Sequence, residues 1–394
     1  MKKKPRKIWK NVGIAALGFL LLAAALYCIP FRVSGIDPFI ERKVDKTEVP
    51  GLAACIIKDG TVSWEGYYGC ADMEKDIPVT VDTRFLISST SKLVTATAAL
   101  MLRDEGLLDL DEDINSYLPF RVRNPNHPDV PITPRMLLTH TSSYVDDWDL
   151  YDRLYTLETG GDSPVSLAEY YSRSLNPAGD WYNPELMFLG EAPGRIREYS
   201  NSGMALVGYL MECITGRSFA DYTRERLFDP LGMDHTAWFL SEIKDSDIAV
   251  PYEYADGSYK EHQHYGYPTY PDGQIRTTIR DFARFFQLYI NKGVWEGKRL
   301  ISEETIEELL TIQFPEADEY QALGWYYNEI QEIPFIPNFP GHTGGDYGST
   351  SVAMFDPDSA SAVLMFSNYS PNIRRALPLY FSIPRKLLYE AGMW

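Results

Sequence analysis

The sequence predicts an α+β protein: one antiparallel sheet flanked by its terminal helices, with a mainly helical subdomain, roughly residues 106–270, inserted between the strands. Three observations carry this. Strand signals concentrate at the two ends of the chain, in residues 51–57 and 62–69 and again in 323–327, 349–355 and 360–366. Between residues 106 and 270 they are few, and helical patterns alternate with loops rich in Pro, Gly, Asp and Tyr. Short helical patterns at 36–44 and 376–390 bracket the whole.

Each element has a local reason. Lys58-Asp59-Gly60 is turn chemistry, so the flanking runs pair as a hairpin in which position 55 faces position 64. Residues 90–105 place Leu93, Val94, Ala98, Leu100 and Met101 at helical spacing, and Gly106 stops the helix. Within the insert, residues 133–139, 166–174, 202–215 and 219–228 are the predicted helices. Thr278-Ile279-Arg280-Asp281 matches a capping box that opens a helix running to Asn291, and residues 302–310 form another. A turn at 356–359 joins the last two strands, and Pro384 predicts an interruption in the closing helix.

The 394 residues can bury a substantial core, and 45% apolar with 23% charged residues is a globular composition. A formal charge of −18 argues against a nucleic-acid partner, because neutralising phosphates needs an excess of Lys and Arg. Cys28, Cys55, Cys70 and Cys213 show no metal-ligand spacing, and Cys70 is out of register with Cys55. They read as buried free thiols.

The N-terminus predicts a membrane segment. Residues 1–11 carry Lys2, Lys3, Lys4, Arg6, Lys7 and Lys10, and residues 12–29 are apolar. Eighteen residues span about 27 Å as a helix, close to the hydrocarbon thickness of a bilayer. The only small-residue cleavage candidate, Ala23-Ala24-Ala25, lies inside the apolar run, which favours an uncleaved anchor over a cleaved signal. In either case the basic flank stays inside, and residues 30–394 lie outside the cytoplasm.

Three short motifs carry the chemistry. Ser89-Thr90-Ser91-Lys92 opens the strong helix, where residues three apart share a face, so the Lys92 amine can reach the Ser89 hydroxyl. A serine becomes a good nucleophile only when a neighbouring base takes its proton. Taken alone, the pattern equally suits an N-cap serine and a solvated lysine. Tyr199-Ser200-Asn201 stands on a loop entering the helix 202–215, and residues two apart in an extended segment point the same way. Tyr199 could relay a proton and Asn201 orient the amine, or they could be a core aromatic and an N-cap. The same Y-x-N pattern recurs at Tyr289 and Tyr326 in less suitable settings. His342-Thr343-Gly344-Gly345 precedes the last strand pair, where glycines let a substrate backbone approach.

Three motifs in this order resemble the penicillin-recognising serine hydrolases, in particular the class C β-lactamase, D-alanyl-D-alanine carboxypeptidase and esterase-like branch. Residues 85–88, 137–142, 230–233 and 341–348 resemble other stretches of that family, and the similarity runs from about residue 49 to the C-terminus. The resemblance implies that Ser89 is the acylated nucleophile and that Lys92 and Tyr199 handle the proton. It implies Asn201 as a positioning amide, the N–H groups of Ser89 and Gly345 as an oxyanion hole, and chemistry without a metal or other cofactor. His342 departs from the pattern, because β-lactamases usually carry lysine there to bind a substrate carboxylate. That departure favours an esterase, amidase or D-amino-acid-type peptidase acting on a small molecule or peptide over a true β-lactamase. The competing expectation is a non-hydrolytic penicillin-binding receptor.

Other clusters read as structural. His262 and His264 lack a third zinc ligand and suit a surface loop, and Asp146, Asp147 and Asp149 suit a solvated acidic loop. Trp148, Trp181 and Tyr182 either line the cleft or pack loops.

Overall fold

The Asp59-Gly60 turn forms as its chemistry dictates, both residues taking positive φ, 48° and 74°. It joins β1 (Gly51–Lys58) to β2 (Thr61–Asp72) as an antiparallel hairpin. The structure, a computed structural model, describes residues 35–394 other than 245–246, 256, 328–337 and 372–376. The predicted membrane segment at 12–29 and Cys28 lie outside the described residues. Among the described residues no helix is long and apolar enough to cross a membrane.

The hairpin register differs from expectation by one residue. A bulge between Ile56 and Ile57 puts Cys55 opposite Glu65, with Trp64 facing Ile56. Counting outward from the turn missed it because a bulge inserts an unpaired residue that no local pattern announces. Cys55 is buried, whereas Cys70 and Cys213 are only half-buried, and all three are free thiols.

β3 (Ile77–Pro78) lies beside β2, and the C-terminal strands complete the sheet. These are β4 (Gly341–Asp346), β5 (Ser349–Asp356) and β6 (Ser361–Ser367). The order is β4-β5-β6-β1-β2-β3, antiparallel throughout, so the first and last strands of this sheet in chain order meet in its middle. Both faces of the centre are covered, which explains the continuous apolar runs of β1 and β6. One face of β1 (Ala53, Cys55, Ile57) joins the main core with the helices of the insert. The other (Leu52, Ala54, Ile56) packs under the terminal helices through Phe39, Ile40, Val44, Ile383, Leu387 and Leu388. The N-terminal helix is Ile36–Thr47, and the closing helix Ile383–Ala391 follows a wider π-type turn, Pro378–Ser382. The interruption expected at Pro384 is thus present as a change of helical pitch.

Residues 323–327 do not form a strand. Gly324 turns at φ 73°, and Tyr326 makes only isolated bridges to Gln321 and Gly341. The alternating apolar pattern there comes from packing, with Leu323 and Trp325 fully buried. A Cβ on Gly324 would lie 2.5 Å from the Ala96 side chain, so this loop presses on the helix that carries Lys92. The insert is mainly helical as expected. Its helices Pro134–Leu138, Leu167–Ser174 and Phe219–Thr223 are N-capped by Thr133, Ser166 and Ser218. Thr278 likewise caps Ile279–Ile290, although Asp281 turns to the His235 N–H rather than closing the capping box.

Candidate active site

Ser89 lies in a 3₁₀ turn, Ser88–Ser91, that leads into the helix α1 (Lys92–Asp104). In a 3₁₀ turn residues three apart eclipse one another, which brings Lys92 over Ser89. Ser88 pays for this elbow with a left-handed φ of 47°. The surroundings hold it there. Ser88 Oγ donates to Ser349 Oγ (2.8 Å), and Ser351 Oγ donates to the Ile87 carbonyl (2.6 Å). On the other flank Ile87 N–H donates to the Ile275 carbonyl, and Ile275 N–H to Ser91 Oγ.

Lys92 is fully buried. Its Nζ lies 3.0 Å from Ser89 Oγ and donates to Asn201 Oδ1 and to the Asp272 carbonyl, both at 2.8 Å. A neutral amine has two hydrogens and one lone pair. Once deprotonated, the amine would keep its two hydrogens for Asn201 and Asp272 and turn its lone pair to the Ser89 hydroxyl. The Tyr199 ring stands alongside, its centroid 5.0 Å from Nζ. Four sequence-predicted residues, 89, 92, 199 and 201, therefore meet at one point.

Tyr199 and Asn201 are positioned by groups the sequence reading assigned elsewhere. Ser200, rather than Asn201, caps the helix α2 (Asn201–Thr215), its Oγ accepting from Gly203 N–H at 2.8 Å. Asn201 is thereby left free to turn its amide to Lys92. Asp146 is not part of a solvated loop. It is buried and accepts the N–H groups of Asn201 (2.9 Å) and Ser202 (2.7 Å), two of the donors that a helix start leaves unpaired. Asp147 caps the short helix Trp148–Arg153, and Trp148 is exposed while Trp181 packs under Arg173. His140 is buried, its Nδ1 accepts the Ser200 N–H at 3.2 Å, and its ring packs 4.5 Å from that of Tyr199. Burial, with Arg197 and Lys92 nearby, holds its imidazole well below the usual range, so it is the neutral acceptor this bond needs.

The third motif lies on β4, paired with β5 so that Gly344 faces Ser351 and Gly345 faces Thr350. Gly344 is required by contact: a Cβ there would be 2.5 Å from the Ile87 carbonyl and 3.1 Å from Ser89 N. Gly345 is exposed, and Thr343 is partly so. His342 is buried, with Nδ1 2.5 Å from the Thr343 carbonyl and its ring 6.2 Å from Tyr199. His262 is buried against Glu253 at 3.1 Å rather than on a surface loop, and no metal-holding group of side chains occurs among the described residues.

Asp272 went unnoticed in the sequence. Its backbone holds Lys92, and its buried carboxyl accepts the hydroxyls of Tyr151 (3.0 Å) and Tyr267 (2.9 Å). Burial raises this carboxyl to about 6, against the opposing pull of Lys92. Gly273 makes the arrangement possible, because a Cβ there would sit 2.3 Å from the Tyr267 hydroxyl. The concentration of Tyr in residues 265–270 was the one local hint.

The fold has known counterparts. The chain superposes on a penicillin-binding protein homologue from Pyrococcus abyssi with a TM-score of 0.71 and 25% identity, over 91% of this chain and 77% of that one. It is also similar in fold to the D-amino acid amidase of Ochrobactrum anthropi (TM-score 0.69, 21% identity, 91% of this chain and 99% of that one). Protein flp of Staphylococcus aureus is 25% identical over 334 residues, 84% of this chain, and this chain spans only 62% of its length. Penicillin-binding protein 4 of Amycolatopsis lactamdurans is 27% identical over 335 residues, 81% of each chain. The beta-lactamase family model matches residues 36–382, and the chain belongs to that family of serine hydrolases.

Proposed function

We propose that this chain is a membrane-tethered, extracytoplasmic serine hydrolase that cleaves an ester, amide or peptide bond through a Ser89 acyl-enzyme. The observation that carries the reading is the Lys92 amine, 3.0 Å from Ser89 Oγ with both other directions occupied by acceptors. Ser89 Oγ attacks the substrate carbonyl carbon as Lys92, with Tyr199 alongside, takes the hydroxyl proton. The bond to the leaving group breaks, and the same proton passes to the departing nitrogen or oxygen. Water then attacks the ester of Ser89 and restores the hydroxyl. Ser89 N–H and Gly345 N–H are the proposed donors to the developing oxyanion, an effect worth about 10²–10³ in rate.

Substrate class is argued from His342. The β-lactamase lysine is absent, and His342 turns to its neighbour's carbonyl, which leaves a poor site for a substrate carboxylate. Amides, esters and D-amino-acid peptides fit better than penicillins. The similarity in fold to the D-amino acid amidase of Ochrobactrum anthropi and to the D-alanine carboxypeptidase AmpC of Burkholderia cenocepacia is consistent with this choice. Tethering outside the cytoplasm is argued from the basic flank and the apolar run at 12–29.

A fluorophosphonate or fluorescent penicillin is expected to label the purified protein covalently and to spare Ser89→Ala. Equal labelling of both proteins removes Ser89 from its role. Trapping without turnover of nitrophenyl esters and D-amino-acid amides would favour a receptor instead.

A further inference from the structure

We propose that the side chain of Asp272 is a positioning residue for the catalytic lysine, governing when Lys92 can take the Ser89 proton. This rests on the reading of Ser89 and Lys92 as the reacting pair. The main-chain carbonyl of residue 272 fixes the Lys92 amine at 2.8 Å, so the attached carboxyl is a buried neighbour of that amine. Among the described residues no guanidinium or ammonium hydrogen-bonds to the carboxyl. Its two clamps are the neutral hydroxyls of Tyr151 and Tyr267, both held well above the usual phenol range by burial and by Asp272 itself.

The electrostatic consequence is direct. An ionised carboxyl at this distance attracts an ammonium and opposes release of its proton, and a protonated one does not. Neighbouring buried charges at an effective dielectric of about 20 interact strongly enough to move an acid–base equilibrium by about a unit or more. The carboxyl titrates near 6, so its charge changes within the range where a hydrolase works. Proton gain by Lys92 and proton loss by Asp272 are therefore one coupled event.

The groups facing Asp272 are Lys92 from α1, Tyr151 from the helix Trp148–Arg153 and Tyr155 just after it, and Tyr267 and Thr269 from its own loop. Asp146, Tyr170 and Tyr171 act from the insert and Asp346 from β4. Among these Lys92 is the cation, Asp146 raises the proton affinity of Asp272, and Asp272 in turn raises that of Asp346.

The test is the pH dependence of kcat/KM for a nitrophenyl ester or D-amino-acid amide, with active sites counted by fluorophosphonate burst. Asp272→Asn keeps one acceptor oxygen, at the Oδ1 position that both tyrosine hydroxyls reach, and removes the charge. Its acid limb is expected about one pH unit lower than that of the wild type, with an unchanged burst. Tyr151→Phe removes one donor, disfavours the ionised carboxyl and should move the limb the same way by a few tenths of a unit. If Asp272→Asn fails to fold, Tyr151→Phe decides. A purely structural Asp272 predicts fewer active sites with an unmoved limb, and that result in a folded variant overturns the proposal. Absence of labelling at Ser89 in the wild type overturns the underlying reading as well, and is told apart by the burst alone.

Discussion

On one side of Lys92 stand Tyr199 and Asn201; on the other stands Asp272. The first wall is built on a helix start. Asp146 occupies the N–H groups of Asn201 and Ser202, Ser200 caps Gly203, and His140 accepts from Ser200, so each buried polar group there has a fixed partner. The second wall is built on a loop, and its charge is variable: a carboxyl that titrates near 6 is held by two phenols that do not titrate. The difference teaches that one amine can be oriented by a rigid side and tuned by a soft one. Burial alone accounts for both, since it forces saturation of hydrogen bonds and also makes an unpaired carboxyl hold its proton.

The comparison can be broken most severely at the amine both walls share. Lys92→Met should lower kcat/KM by about 10³-fold or more while the fold survives, because it removes the amine 3.0 Å from Ser89 Oγ. Steady-state kinetics beside a thermal melt checks this, and a loss below ten-fold would move the base elsewhere. The rigid wall comes next. Asp146→Ala leaves two buried N–H groups without their acceptor, at a cost of about 2–3 kcal/mol in denaturant unfolding. It should also lower kcat more than it raises KM, as Asn201 loosens. A smaller cost than about 1 kcal/mol would mean that water replaces the carboxylate.

The soft side yields the smallest effect and the one with a definite sign. Asp272 at about 6 and Asp346 at about 7 both bind protons more tightly in the folded chain than at their unfolded value near 3.8. The folded state therefore holds the extra protons, and this contribution to stability declines as pH rises from about 4 to about 7. Asp346 accepts from Tyr155 at 3.3 Å and from its neighbour's N–H, and it is partly exposed, which limits its share to about 1 kcal/mol. Asp346→Asn should flatten that decline in urea unfolding measured at pH 5 and pH 8. An unchanged slope would show that the carboxyl ionises freely in the folded protein.

The meeting of residues 89, 92, 199 and 201 was legible because their spacing carries geometry: three residues along a helical turn for 89 and 92, two along an extended segment for 199 and 201. The supporting residues were not. Asp146 and His140 lie about 55–60 positions before the backbone groups they bind, and an aspartate beside two other acidic residues looks solvated until something covers it. The 323–327 segment failed for a related reason, since alternation of apolar residues records burial, and pairing needs a neighbour that the loop never meets.

By itself the sequence determined the sheet-and-insert architecture, the helix starts and which side chains are proposed to react, all of which depend on neighbours within a few residues. Only the tertiary structure decided the bulge at Ile56, the partners that orient Tyr199 and Asn201, and the placing of Asp272 behind Lys92. Those depend on which distant groups lose water together, and desolvation is a property of the packed molecule that no local stretch of chain encodes.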